Sequence, residues 1–212
     1  MRTTNIILLG SLSRGKFKEF KALFKEYPEI DFKPLSDFAW NLDQFEEAEN
    51  ANTYYENAFK KAQLAHMAAK VPTFSDDSGL EVHALNERPG VHSRRYATPK
   101  TSETQDQANN KKLLEELQHY SKDKRAARYV CTIVFMVEGV VLSTTGAVDG
   151  TILDLPRGLH GFGYDPLFLP NGYNKTFAEM SLEDKNKISH RAKALHNLMA
   201  LIKEKNVQLV RP

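Results

Sequence analysis

The stretch ARYVCTIVFMVEGVVLSTTGAV, residues 127–148, constrains the fold of this chain more than any other. β-Branched and aromatic residues crowd both halves, and Glu138-Gly139 interrupts them midway. The pattern predicts two long strands joined as an antiparallel hairpin, of the kind found at the centre of a mixed sheet. The N-terminal third reads differently. NIILLG (5–10) is a short buried strand, and GKFKEFKALFKEY (15–27) is a helix whose Phe17, Phe20, Phe24 and Tyr27 recur at helical spacing. IDFKPL (30–35) is a second strand, followed by an acidic loop holding Glu46, Glu47 and Glu49. Thr53-Tyr54-Tyr55-Glu56 is a capping box opening an Ala-rich helix that runs to about Lys70. Early strand–helix alternation with later hairpins implies an α/β protein with a mixed sheet.

A chain of 212 residues suffices for one sizeable domain or two small lobes around a shared cleft. With a net charge of +2, no overall field favours nucleic acid or a membrane surface. The one cysteine, Cys131, lies within the apolar hairpin, which predicts a buried, inert thiol and a reducing compartment. No apolar stretch approaches the ~20 residues of a membrane span, and the N-terminus lacks the pattern of a secretory signal. A cytoplasmic location is expected.

Four stretches could carry chemistry. GSLSRGKF (10–17) nearly fits the phosphate-binding pattern G-x-x-x-x-G-K-[ST], but Phe17 stands where a magnesium-binding hydroxyl belongs. A helix N-terminus with Ser11, Ser13, Arg14 and Lys16 still makes a good anion site. In VPTFSDDSGLEVHAL (71–85), two adjacent carboxylates interrupt an apolar run. Asp76-Asp77-Ser78-Gly79 is either a tight turn, with a hairpin into LEVHAL, or a strand delivering a carboxylate to its exposed end. On a strand the two aspartates point to opposite faces and do not share one job. With the acidic loop, this region offers oxygen ligands to a hard cation such as Mg²⁺. EDKNKISHRAKAL (183–195) crowds Lys185, Lys187, His190 and Arg191 at the start of the last helix, against its macrodipole unless an anion binds there. Ser189 is a candidate cap for a fresh helical segment, and Ile188, Ala192, Leu195, Met199 and Ile202 mark one apolar face. In GFGYDP (161–166), Phe162 and Tyr164 offer flat surfaces to a ring. Together these supply what a magnesium-bound nucleoside polyphosphate needs.

YENAFKKA (55–62), SDDSGLEV (75–82), PGVHSRRY (89–96), GFGYDP and EDKNKISHRAKAL, in this order and spacing, resemble the inosine triphosphate pyrophosphatase family. The resemblance runs from about Asn5 to Ala200. It implies an elongated mixed α/β sheet in two lobes flanked by helices, a substrate cleft between the lobes, and a homodimer. The implied reaction is Mg²⁺-dependent hydrolysis of non-standard purine nucleoside triphosphates (ITP, dITP, XTP) to monophosphate and pyrophosphate. On matching positions, Asp77 is the general base and a metal ligand, and Glu49 is the second metal ligand, with Glu46 and Glu47 as neighbouring alternatives. Ser11, Ser13 and Lys16 meet the phosphates, and Ser78 contacts the nucleotide. Phe162, Gly163, Tyr164 and Asp165 line the base pocket, Lys185, His190 and Arg191 complete it, and Arg95 matches the arginine after the Pro-Gly loop. Two departures stand out: Ser13 replaces the family's asparagine, and the segment after Glu49 lacks the usual glycine. A non-catalytic purine nucleotide sensor on the same scaffold, or a pyrophosphatase of modified pyrimidine nucleotides, are the competing readings.

Overall fold

The computed structural model describes residues 5–37 and 49–209. Glu46 and Glu47 lie outside them. The elements are β1 (Asn5–Leu9), α1 (Arg14–Leu23), β2 (Ile30–Pro34), α2 (Tyr54–Ala69), β3 (Thr73–Val82), β4 (Arg88–Pro89), α3 (Gln105–Leu117), β5 (Ala126–Val137), β6 (Val140–Ile152), β7 (Phe168–Pro170), α4 (Leu182–Ile188) and α5 (His190–Glu204). Among the described residues seven strands form one sheet in the order β2-β1-β3-β5-β6-β7, with β4 paired to β3. β1 is parallel to β2 and β3, because its neighbours return through helical crossovers. β4 on β3 and β7 on β6 are antiparallel. The sheet is therefore mixed, and the β5–β6 hairpin turns at Glu138-Gly139, where Gly139 takes a φ of +72°.

The chain divides into two compact units. The first comprises Met1–Asp77, Cys131–Gly146 and Arg191–Pro212; the second comprises Ser78–Val130 and Ala147–His190. Strand periodicity organises the first. Ile7 and Leu9 of β1 pack with Phe20 and Leu23 of α1, with Phe24 in the turn just after it, and with Ala192, Leu195, Leu198 and Ile202 of α5. Leu8, between them, packs with Ala65 of α2. β5 repeats the alternation: Cys131, Ile133 and Phe135 join the α1–α5 cluster, while Val134 and Met136 meet Ala58 and Ala62 of α2. Each fully buried Phe or Leu contributes roughly 1.5–3 kcal/mol. In the second unit Leu80, Val82, Leu113, Leu117, Tyr129, Phe168 and Phe177 form the centre of a separate core.

Two expectations need correction. Asp76-Asp77-Ser78-Gly79 is neither a turn nor a strand end; β3 runs through it unbroken. Lysine and arginine partners neutralise the carboxylates in place, so the strand has no need to carry them out to water. The hairpin lies further on, where a turn at His83–Leu85 lets β4 fold back onto Glu81 and Val82. Ile188 is not on the last helix either. Ser189 adopts an extended conformation that ends α4, and α5 starts afresh at His190, as the cap at Ser189 predicts. Leu198 takes the buried position alongside Ala192, Leu195 and Ile202.

Candidate active site

β3 sets the geometry. Phe74 faces the α1–α5 cluster, so Asp76, two residues on, faces the same way and Asp77 faces α2. Asp77 is only 8 % exposed. Its Oδ2 accepts from Asn57 Nδ2 at 2.9 Å, and its Oδ1 lies 3.8 Å from Lys61 Nζ. Asn57 and Lys61 are four residues apart on α2, on the same buried face as Ala58, Ala62 and Ala65. The alanines leave room for the lysine to extend along the strand. Thr53 starts that helix by accepting from Glu56 N–H at 3.1 Å and donating its hydroxyl to the Glu56 carboxylate at 2.9 Å.

Lys61 is the hub of this face. Its Nζ donates to Glu49 Oε1 at 2.9 Å and to the Asp76 carbonyl at 2.7 Å. Burial alone would lower its pKa, but Glu49, Asp77 and Asp76 outweigh that and raise it, so Lys61 stays charged. Burial raises the Asp77 pKa, against the opposing pull of Lys61, Lys16 and the Asn57 hydrogen bond. A carboxylate shifted upward is better matched to accepting a proton near neutral pH. Asn57 also orders the loop after Glu49, since Ala51 N–H donates to its Oδ1 at 2.8 Å.

The opposite face of β3 holds a chain of alternating charges. Asp76 is fully buried, with Lys16 Nζ 3.0 Å and Arg191 Nε 3.7 Å from its Oδ2. Arg191 Nη1 donates to Glu19 Oε2 at 2.7 Å, and Glu19 stands one turn after Lys16 on α1. Burial would raise the Asp76 pKa, yet Lys16, Arg191 and Lys61 together hold it at about 2. Cys131 Sγ lies 3.7 Å from Asp76 Oδ2, and burial beside that carboxylate pushes the thiol up. It is buried and inert, as expected. The resemblance puts Arg191 on the ligand; in this structure its guanidinium engages Glu19 and Asp76.

The first loop is built as a helix start. Ser13 caps α1, its Oγ accepting from Lys16 N–H at 3.3 Å, and Ser11 Oγ accepts from Ser13 N–H at 3.2 Å. Gly10 is required by packing, because a Cβ there would lie 2.2 Å from Ser75 Oγ. That hydroxyl donates to the Gly10 carbonyl at 2.7 Å.

In the second unit, the glycine-aromatic loop is fixed from several sides. Asp165 Oδ2 accepts from Lys185 Nζ at 2.5 Å and from Phe162 N–H at 3.0 Å. The Lys185 ammonium also stands over the Phe162 ring at 5.5 Å. Tyr164 is not a stacking surface: it is buried in the core, and its hydroxyl donates to the Ser93 carbonyl at 2.8 Å. Burial also raises its pKa. Phe162 is half-buried and remains the candidate ring. His190 is buried and stacks flat on Tyr129, centroids 4.6 Å apart. Ser78 follows Asp77 on β3, and Arg95 is exposed at the end of the turn Gly90–Arg95.

The sequence therefore named Glu49, Asp77 and Lys16 but missed Lys61, Asn57 and Glu19. A signal existed for two of them, since Asn57 and Lys61 are polar residues at i and i+4 on the alanine face of an otherwise amphipathic helix. Among the described residues no three His, Cys, Asp or Glu side chains cluster as a preformed metal cage. Glu49 and Asp77 still fit Mg²⁺, which commonly takes one or two protein carboxylates and completes its shell with water and substrate phosphates. Both converge on the one Lys61 ammonium.

Fold and site together define a mixed α/β protein in which Asp76, Asp77 and Lys61 are buried side by side, with Glu49 and Lys16 against them. The chain belongs to the Ham1 family, whose model matches residues 7–201. It is 42 % identical over 196 residues to the dITP/XTP pyrophosphatase of Desulfotalea psychrophila, covering 92 % of this chain and 84 % of that one. It is 40 % identical to the dITP/XTP pyrophosphatase of Bacillus subtilis, covering 92 % and 96 %. The Ham1 protein structure from Staphylococcus aureus superposes with a TM-score of 0.76 at 36 % identity, covering 94 % of this chain and 99 % of that one. That from Coxiella burnetii gives 0.77, also at 36 %, covering 94 % and 98 %.

Proposed function

We propose that this chain hydrolyses non-standard purine nucleoside triphosphates, ITP, dITP and XTP, to the monophosphate and pyrophosphate, clearing them from the nucleotide pool. The reading extends to Mg²⁺ dependence, a cytoplasmic location and a homodimer. The names of the relatives support the substrate class. The observation that carries the chemistry is the convergence of Glu49 and Asp77 on Lys61, with the Asp76 carbonyl accepting from both Lys61 and Lys16. Paired carboxylates and paired ammonium groups complement a cation and its polyphosphate.

In this mechanism Asp77 takes a proton from water through Oδ1, while Asn57 keeps Oδ2 and so fixes the carboxylate plane. Water oxygen bonds to phosphorus, the α–β bridging bond breaks, and its electron pair leaves with pyrophosphate. Lys16 and Lys61 neutralise the charge that builds on the departing group. Ser11, Ser13 and Ser78 supply hydroxyls toward the nucleotide, and Arg95 a further cation. Mg²⁺ held by Glu49 and Asp77 would add Lewis-acid stabilisation of the same charge. Phe162 is the ring on which the base stacks, with Gly163 and Asp165 shaping its pocket and Lys185 and His190 contributing polar groups. Arg191, engaged with Asp76, is assigned first to holding that carboxylate.

The test is pyrophosphate release from ITP with Mg²⁺, followed by chelation with EDTA and restoration of the ion. Stoichiometric IMP and pyrophosphate, absent under EDTA and formed about 10²–10⁴-fold more slowly by Asp77→Asn, is the expected result. Tight ITP binding without product would establish the sensor reading instead.

A further inference from the structure

The loop that carries Phe162 is gripped by a helix that the proposed chemistry does not use. Asp106 and Asn110 stand four residues apart on α3, so they share one helix face. Asp106 Oδ2 accepts from the Gly163 N–H at 2.7 Å, and Asn110 Nδ2 donates to the Gly163 carbonyl at 2.9 Å. Both backbone groups of one residue are thereby held by side chains from one helix. Gly163 has a φ of +63°, a conformation that favours glycine. On the other side of Phe162, its own N–H is held by Asp165. The peptide groups flanking the candidate stacking ring are thus fixed by carboxylates before and after it.

The next residue on α3 grips the second loop of the same unit. Asn109 Nδ2 donates to the carbonyls of Ser93 and Arg94 at 3.1 and 3.0 Å, and its Oδ1 accepts from Ala97 N–H at 2.8 Å. Among the described residues the Asn110 Oδ1 is buried without a hydrogen-bond partner, so the amide is held there by its Nδ2. What the asparagine supplies is a donor aimed at Gly163.

We infer that Asp106 and Asn110 are positioning residues for base selection, acting through Gly163 to hold Phe162 rather than by touching substrate. The inference rests on the reading of this chain as a purine nucleoside triphosphate pyrophosphatase. Two isosteric substitutions separate hydrogen bonding from packing. Asp106→Asn keeps an oxygen for the Gly163 N–H, whereas Asn110→Asp replaces the donor by an acceptor facing a carbonyl. Amide hydrogen exchange at Gly163, followed by NMR without nucleotide, reads the grip itself, and kcat and KM on ITP and ATP read its consequence. Asn110→Asp should speed Gly163 exchange, raise KM for ITP about 3- to 10-fold with kcat within about twofold, and narrow the ITP-to-ATP ratio of kcat/KM by a similar factor. Asp106→Asn should retain the wild-type ratio, and Asp106→Ala should lose it. A wild-type protein that does not discriminate ITP from ATP would overturn the functional reading and this inference with it. Wild-type discrimination that survives intact in Asn110→Asp and Asp106→Ala overturns the inference alone.

Discussion

Substituting Asp76 by asparagine removes one fully buried charge from among its cations and leaves the side-chain shape almost unchanged. The carboxyl pKa falls from an ordinary 3.8 to about 2 in the folded chain, despite burial, because Lys16, Arg191 and Lys61 surround it. At about 1.4 kcal/mol per pKa unit, this drop of roughly two units corresponds to about 2–3 kcal/mol of stability at neutral pH. The folded pKa lies below the unfolded one, so the unfolded chain takes up the proton first as pH falls. The contribution is present above about pH 4 and is lost as pH falls toward 2. Asp76→Asn should therefore unfold about 2–3 kcal/mol more easily than the wild type in urea at pH 7. The gap should close by about 1 kcal/mol between pH 4 and pH 3, before acid denaturation intervenes. A gap under about 0.5 kcal/mol at pH 7, or one of equal size at pH 7 and pH 3, would show that these cations do not hold Asp76 as charged. The same variant loosens the anchor of Lys16, so kcat/KM should fall, though less than on loss of the base.

For Asp77 the sign reverses: its pKa is raised by burial, so its charged form costs stability at neutral pH. Asp77→Asn should match or exceed the wild-type melting temperature while losing about 10²–10⁴-fold in kcat, measured by pyrophosphate release. The acid limb of the wild-type kcat/KM profile should lie above the ordinary aspartate range; a limb at or below it would remove Asp77 as the base. Lys61→Met leaves Glu49 and Asp77 without their shared cation, so that limb should move to still higher pH and kcat/KM should drop about 10²-fold. An unmoved limb in Lys61→Met would disprove the coupling. Ser13 caps α1, so Ser13→Ala should cost about 1 kcal/mol in urea unfolding. Ser13→Asn, an equally good cap, should be neutral in stability and at least as active; if it is as damaging as Lys16→Ala, the loop does not work as the resemblance implies.

The strands and helices were legible because their periodicities are strong. The β5–β6 hairpin and the alanine face of α2 stand where the sequence puts them, while the first helix ends at Leu23 and a tight turn over Phe24–Glu26 replaces its expected last turn. What could not be read locally was set by partners distant in the chain. Asp76-Asp77-Ser78-Gly79 has turn composition, yet it stays extended because Lys16 and Arg191, 60 residues before and 115 after Asp76, neutralise the first carboxylate. Lys61 reads as one of many helix lysines until a buried strand is laid against it. Tyr164 and Phe162 look equivalent in GFGYDP, and only the hydrogen bond to Ser93 shows which ring belongs to the core.

Adjacent aspartates with opposite titration follow from this arrangement. A strand's period of two sends Asp76 and Asp77 to different faces, and each face supplies its own environment. Lys16 and Arg191 pair with the Asp76 carboxylate, Lys61 adds to them from the other face, and the acid is held at about 2. Asp77 has Lys61, shared with Glu49 and the Asp76 carbonyl, and the lesser pull of Lys16, and there burial prevails. Pairs of carboxyls driven apart in this way commonly divide into a fixed charge and a proton acceptor. The Asp76 backbone joins the two, because its carbonyl accepts from Lys16 at 3.3 Å and Lys61 at 2.7 Å. Any shift of β3 at this residue moves both lysines together, so the charges around Asp76 set the spacing of the groups around Asp77.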